Sequence, residues 1–196
     1  MYLREPLTYD FNALEPYIDR ATMKEHYEVH YKKYTDTLNN ALQELQVPAT
    51  PIENILIDIN RFPEVVRNNA GGYYNHLIYF RTMSPDNNGY QNASPKLKMM
   101  IDESFGGFQS FKNKFKQAGL DVFGSGWVWL VNIDGRLYIA TTKNQDNPLM
   151  SSERNQVVFG MDVWEHAYYL KHMADRKSYI DDFFSVLDWK KISERI

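Results

Sequence analysis

The stretch Ser84–Ser94, with Pro85-Asp86-Asn87-Asn88-Gly89 at its centre, is the clearest linker in this sequence, and it separates two unlike kinds of chain. Before it lie two long stretches that read as helix. After it, Trp127–Val131 and Arg136–Ala140 flank Asn132-Ile133-Asp134-Gly135. That is a strand–turn–strand signal, because Asp-Gly suits the positive φ angles of a two-residue hairpin turn. A boundary at the linker divides residues 1–86 from residues 87–196. The first part is helical, and the second is a small antiparallel sheet with helices around it. The 196 residues are ample to bury a core.

Residues 1–18, with Pro6 and Pro16, read as irregular. Thr22-Met23-Lys24-Glu25 has the form of a capping box, which starts a helix near Asp19 to Thr22. With no Gly or Pro to stop it, that helix runs to about Leu45. His26, His30 and Tyr34 recur on it at steps of four and form a slowly drifting stripe, either an aromatic stripe in a core or a site. Pro48 to Pro51 break the helix, a short helix follows over Ile52–Asn60, and Pro63 fits the first turn of a second long helix reaching about Met83. This helix keeps Gly71-Gly72, at about 1 kcal/mol each relative to Ala, so close approach by another group is expected there. Asn75 and an inward-facing His76 follow. Beyond the linker, helices are expected near 95–103 and 108–119. Trp127 and Trp129 share one face of a strand, Asn144–Pro148 forms a loop, and a last helix spans Ser178 to Trp189.

Near the C-terminus, Asp162-Val163-Trp164-Glu165-His166 places two good metal ligands four residues apart. Val157-Val158-Phe159 before it reads as strand and Ala167–Leu170 after it as helix, so Asp162 leaves a strand end and His166 opens a helix. A capping Asp162 and a core His166 satisfied by hydrogen bonds fit the same spacing. The chain has no cysteine, which removes disulfides, thiolate ligands and cysteine nucleophiles together. Any metal then sits on His and Asp or Glu, pointing to manganese, iron, zinc or copper. A formal charge of −3 offers no basic footprint for nucleic acid. No apolar run approaches the ~20 residues of a membrane span. Met1–Glu5 lacks a signal-peptide core. The expectation is a soluble, cytoplasmic protein, although a trimmed leader would leave no trace.

The parts together resemble one family. Ala13-Leu14-Glu15-Pro16, Thr22-Met23 with His26, His30 and Tyr34, and Asn68-Asn69-Ala70-Gly71-Gly72 with Asn75-His76 carry the resemblance through the first part. Phe123-Gly124-Ser125-Gly126-Trp127, Asn144-Gln145-Asp146-Asn147-Pro148-Leu149 and Asp162-Val163-Trp164-Glu165-His166-Ala167-Tyr168-Tyr169 carry it through the second. On these motifs the chain is similar, almost end to end, to the iron/manganese superoxide dismutases. The resemblance implies an α+β fold: an N-terminal long helical hairpin, then a C-terminal α/β domain with a three-stranded antiparallel sheet. It implies one manganese or iron ion per subunit held by His26, His76, Asp162 and His166, with a bound water or hydroxide that takes up the coupled proton. His30 and Tyr34 would line the substrate channel, and Trp127, Trp129 and Trp164 would wall the site. Three neutral imidazoles and a carboxylate suit either metal in its +2 and +3 states, as conversion of superoxide to dioxygen and hydrogen peroxide requires.

Iron-type relatives usually carry a second-helix glutamine where this chain has Gly72, and manganese-type relatives carry it in the hairpin-side loop, here Gln145. Gln145 would reach the bound solvent across the space Gly72 leaves, so the resemblance is to the manganese type. Four positions depart from the common pattern: Val29 for a channel-mouth lysine, Leu77 for serine or threonine, Phe80 for tryptophan, and Lys177 for a proline. Arg176 is the matching cation left to attract superoxide. The resemblance also implies a homodimer, or a tetramer built from dimers. In it Glu165 accepts from the His166 of the other chain, and His30 and Tyr169 pair across the same interface. Two other readings compete. One is a non-haem iron oxygenase, which needs two histidines, a carboxylate and a cosubstrate. The other is a metal-binding or structural relative without activity.

Overall fold

The computed structural model describes residues 1–196. The first helical run begins at α1 (Arg20–Glu25), where the Asp19 carboxylate accepts from the Thr22 N–H at 3.1 Å. The cap is therefore Asp19 and not the Thr22-to-Glu25 box, since Thr22 is already inside the helix and buried. The run continues through a π-helical segment, His26–Tyr31, into α2 (Lys32–Glu44). The expected helix is unbroken, but its middle turn is wider than α. Wider turns of this kind concentrate at functional sites, and here two of the stripe residues, His26 and His30, lie on it.

After α3 (Ile52–Ile57) and a 3-10 turn (Ile59–Arg61) comes α4 (Glu64–Arg81), with Pro63 as its N-cap, one residue outside the expected first turn. Every residue from Ala70 to Phe80 on α4 is buried. The glycine pair is explained by its neighbours. A Cβ at Gly71 would lie 2.0 Å from the Gln145 carbonyl oxygen, and one at Gly72 would lie 2.4 Å from Tyr34 ring atoms. The space over Gly72 is filled by the Tyr34 ring, and Gln145 presses on Gly71 instead, which corrects the expectation that Gly72 makes room for the glutamine.

The second part holds α5 (Pro95–Phe105), α6 (Phe108–Asp121) and a three-stranded antiparallel sheet. Its strands are β1 (Gly126–Ile133), β2 (Arg136–Lys143) and β3 (Gln156–Asp162), in the order β2-β1-β3. Asp134 and Gly135 turn the hairpin at φ 50 and 88, both positive as a tight two-residue turn requires. The central strand β1 is buried from Gly126 to Val131, so the strand end at Asp162, paired with Trp127, is held deep in the protein.

The C-terminal region departs from expectation twice. His166 does not open a regular helix: a 3-10 turn (Glu165–Ala167) gives way at Tyr168, φ −143, to the short α7 (Tyr169–His172). The single helix expected over Ser178–Trp189 is two helices, α8 (Arg176–Phe183) and α9 (Trp189–Ser193). Between them Leu187 bridges to Met83, and the Asp188 N–H donates to the Thr82 carbonyl at 2.9 Å. The Asp188 carboxylate then caps α9 through the Lys190 and Lys191 N–H groups. A tertiary contact with the end of α4 thus takes backbone groups that a continuous helix would have used.

Candidate metal centre

Four side chains from four segments meet where the helical part faces the open end of β3. His26 comes from the π-helical segment, His76 from α4, Asp162 from the last position of β3, and His166 from the 3-10 turn after it. One potential ligand atom of each lies within 4.8 Å of the other three. Asp162 Oδ2 is 3.2 Å from His26 Nε2, 3.1 Å from His166 Nε2 and 3.7 Å from His76 Nε2. Its other oxygen, Oδ1, accepts from the Trp164 N–H at 2.9 Å, which aims Oδ2 into the cluster.

His76 Nδ1 lies 2.7 Å from the Gly72 carbonyl oxygen, an acceptor, so Nδ1 carries the proton and Nε2 presents its lone pair. That Nε2 is fully buried and has no hydrogen-bond partner. Burial pushes the His26 and His76 imidazoles below their ordinary range, so both are neutral. Burial alone would raise the Asp162 carboxyl, but His166 and His26 beside it prevail and hold it well below the usual carboxylate range. Neutral imidazoles turned toward an ionised carboxylate form an arrangement able to hold a cation.

A ring of aromatic and amide groups surrounds the four. The His30 ring stacks on His166 at 4.0 Å, half-buried, and burial lowers its imidazole to about 4, with His166 and His26 adding to the effect. Tyr34 lies 5.2 Å from the His76 ring. Its phenol is pushed up to about 12 by burial and by the Asp162 charge. Gln145 Nε2 donates to the Tyr34 hydroxyl at 3.0 Å, while Gln145 Oε1 accepts from Trp127 Nε1 and Asn75 Nδ2, each at 3.1 Å. Trp127 meets His76 edge-on at 5.4 Å and Trp164 lies 5.5 Å from His166. Trp129 sits one ring further out, stacked on Trp127 and donating to Thr142.

Glu165 and Tyr169 are exposed, and the only side chain hydrogen-bonded to His166 within the chain is that of Asp162. Arg176 lies apart from the cluster. It donates to the Val122 and Gly124 carbonyls and to the Tyr168 hydroxyl, with no carboxylate to neutralise it.

Sequence reasoning assigned no role to several groups that shape this site. Asn75 holds both the side chain and the carbonyl of Gln145, and is itself held by Asn147 at 2.9 Å. Tyr79 and Phe80 pack on the His26 ring at 4.9 and 5.2 Å, and Tyr31 stacks over His76 at 5.8 Å. A signal for two of them was present: Tyr79 and Phe80 stand three and four residues after His76, on the same helical face.

Comparison with known proteins agrees with this geometry. Residues 1–84 match the family described as iron/manganese superoxide dismutases, alpha-hairpin domain, and residues 93–195 match the C-terminal domain of the same family. A manganese superoxide dismutase of Leptolyngbya boryana is 44% identical, over 97% of this chain and 80% of that protein. One from Pseudomonas aeruginosa is 42% identical, over 97% of this chain and 94% of its own length. One from Buchnera aphidicola is 38% identical, over 100% of this chain and 98% of its own length. With both halves of the family matched in order and relatives this close along nearly the whole length, the chain belongs to the iron/manganese superoxide dismutase family.

Proposed function

We propose that His26, His76, Asp162 and His166 hold the single manganese ion of this superoxide dismutase, a site that iron also fits. The observation that carries this is the bare Nε2 of His76: a lone pair with its tautomer fixed from behind, fully buried, facing a carboxylate and two other imidazoles. Such a group is costly to bury unless it binds something. A hydrogen-bonded core histidine would have both nitrogens satisfied. When bound, the ion would supply a +3/+2 couple, through which two superoxide anions and two protons would give dioxygen and hydrogen peroxide.

The chain's own residues position this site and move protons. The Gln145 amide cannot flip, because turning it would set its NH2 against the Trp127 and Asn75 donors. Its Nε2 therefore stays on Tyr34, and the Tyr34 O–H, accepting there, is free to donate elsewhere. With its phenol held to about 12 by burial, Tyr34 keeps that proton at neutral pH and can lend it. His30, neutral for the same reason, can accept one. Trp127 and Trp164 exclude water from two sides of the imidazoles.

The test is metal content. His76→Ala should lose most bound metal and all activity while its far-UV spectrum stays native, because the core survives one polar deletion. A fully active His76→Ala protein sinks the assignment.

Two further readings belong with it. The protein works as a homodimer or a tetramer of dimers, with Glu165 accepting from His166 of the second chain. The exposed Glu165 and Tyr169 beside the cluster support this, as does a His166 ring with no second hydrogen-bond partner in its own chain. Residues 1–86 and 87–196 are taken as its two domains. No helix is long and apolar enough to cross a membrane, and we place the enzyme's antioxidant role in the cytoplasm.

A further inference from the structure

Asn88-Gly89 is the chain's single Asn-Gly pair, and it lies in the linker between the two parts. An asparagine before a glycine is chemically labile. The next backbone nitrogen can attack its side-chain carbonyl carbon, and glycine has no Cβ to shield that nitrogen. A fold prevents the attack by engaging the nitrogen in a hydrogen bond. Asn12 and Asn92 are protected in this way: the Ala13 N–H donates to the Asp10 carbonyl at 2.9 Å, and the Ala93 N–H to the Tyr90 carbonyl at 3.0 Å. The Asp-Gly pair of the hairpin is protected too, with the Gly135 N–H on Asn132 Oδ1 at 3.0 Å.

Gly89 differs. Its N–H donates to no group in the chain, and it lies outside every helix and strand. Asn88 is exposed, and its amide makes one hydrogen bond, to the Pro85 carbonyl at 3.3 Å, longer than such bonds usually are. The residues on either side are anchored to one buried tryptophan. The Asn87 carbonyl accepts from the Trp189 N–H at 3.1 Å, and the Tyr90 ring meets the Trp189 ring edge-on at 5.1 Å. Only Asn88 and Gly89 span the two anchors.

We propose that Asn88 is a site of spontaneous deamidation in the folded enzyme. The Gly89 nitrogen bonds to Asn88 Cγ, the Cγ–Nδ2 bond breaks, and Nδ2 leaves as ammonia with the Gly89 proton. Water then opens the cyclic imide. Opening at Cγ gives aspartate, and opening at the main-chain carbonyl gives isoaspartate, whose backbone is one atom longer. Either product adds a negative charge to a chain of formal charge −3. The longer backbone shifts Tyr90 relative to Asn87 and loosens the hold on Trp189, where α9 begins.

The metal-loaded enzyme is incubated in mildly alkaline buffer beside a synthetic peptide of residues 82–96, the tryptic fragment that carries the linker. Mass spectra of the digest should show residue 88 converted in the protein at a rate within about tenfold of the peptide, because a loop with a free nitrogen opens at almost no cost. Asn12, Asn92 and Asp134 should stay intact. Gly89→Ala should suppress the conversion. Its φ of −85 suits alanine, and the exposed Gln91 amide has only to swing away. The deamidated fraction, separated by its charge, should unfold about 2–4 °C below the intact one while dismutating superoxide at the same rate. An intact Asn88 in the folded protein while the peptide reacts, or equal conversion in Gly89→Ala, overturns the proposal. A deamidated fraction as heat-stable as the intact one overturns its link to Trp189.

Discussion

The ring of Tyr34 occupies the place where a side chain on residue 72 would begin: a Cβ at Gly72 would come within 2.4 Å of its Cγ and Cδ1 atoms. The glycine is what lets the Tyr34 ring lie against α4 and receive the Gln145 amide. Gly72→Ala therefore sets helix propensity against packing. Propensity favours Ala by about 1 kcal/mol, whereas forcing a methyl into a filled space costs about 1–3 kcal/mol. Thermal unfolding should show a variant destabilised by about 1 kcal/mol with slower turnover at unchanged metal content. A stabilised, fully active variant would mean that the Tyr34 ring moves aside freely.

Tyr34→Phe removes the acceptor for Gln145 Nε2 and the proton Tyr34 holds. The enzyme should load metal normally and lose rate mainly at high superoxide flux, with the Gln145 donor left unpaired at about 1–3 kcal/mol. Pulse radiolysis at rising superoxide, with metal analysis of the same sample, separates this from a structural role. Poor metal loading would assign Tyr34 to the scaffold.

Stability should fall at alkaline pH. Burial raises the Tyr2, Tyr34, Tyr74 and Tyr90 phenols from 10.0 to about 12 each. Between those values the unfolded chain releases protons that the folded chain keeps, so the contribution is full below pH 10 and is lost as pH rises toward 12. Urea midpoints should hold steady from about pH 8 to 10 and then drop steeply. A flat profile to pH 12 would show that these phenols ionise in the folded protein as freely as in the unfolded one.

Gln145 donates close to the cluster while residue 72 offers no amide, and a donor near metal-bound solvent favours the oxidised ion. Manganese(III), the stronger oxidant, needs that lowering of potential more than iron does. Apoenzyme reconstituted separately with each metal should be fastest with manganese. Iron matching it would indicate an enzyme that uses either.

Glu165→Ala should weaken both self-association and metal retention, because in the proposed dimer His166 would lose the acceptor that orients its ring. Losses of such supporting partners typically reach about 10–100-fold. Sedimentation and metal analysis on one preparation decide it: a variant that is dimeric, fully metallated and active returns Glu165 to the solvated surface.

Local chemistry determined much of this protein. The Asp134-Gly135 turn, the β1–β2 hairpin and the long α4 with its glycine pair were legible, because turn angles and helix breakers act over a few residues, whereas the grouping of His26, His76, Asp162 and His166 was expected only from the family resemblance. Other features were not legible, since each depends on groups far apart in the chain. The helix expected to run through Asp188 is broken before it because Thr82 is there to accept the Asp188 N–H. Gln145 keeps one orientation because Asn75, seventy positions earlier, grips both its carbonyls. The π-helical turn at His26 and the tautomer of His76 likewise became visible only in the folded chain. A hydrogen-bonding group is assigned its partner by whatever the fold brings within about 3 Å of it, and that distance has no counterpart along the sequence.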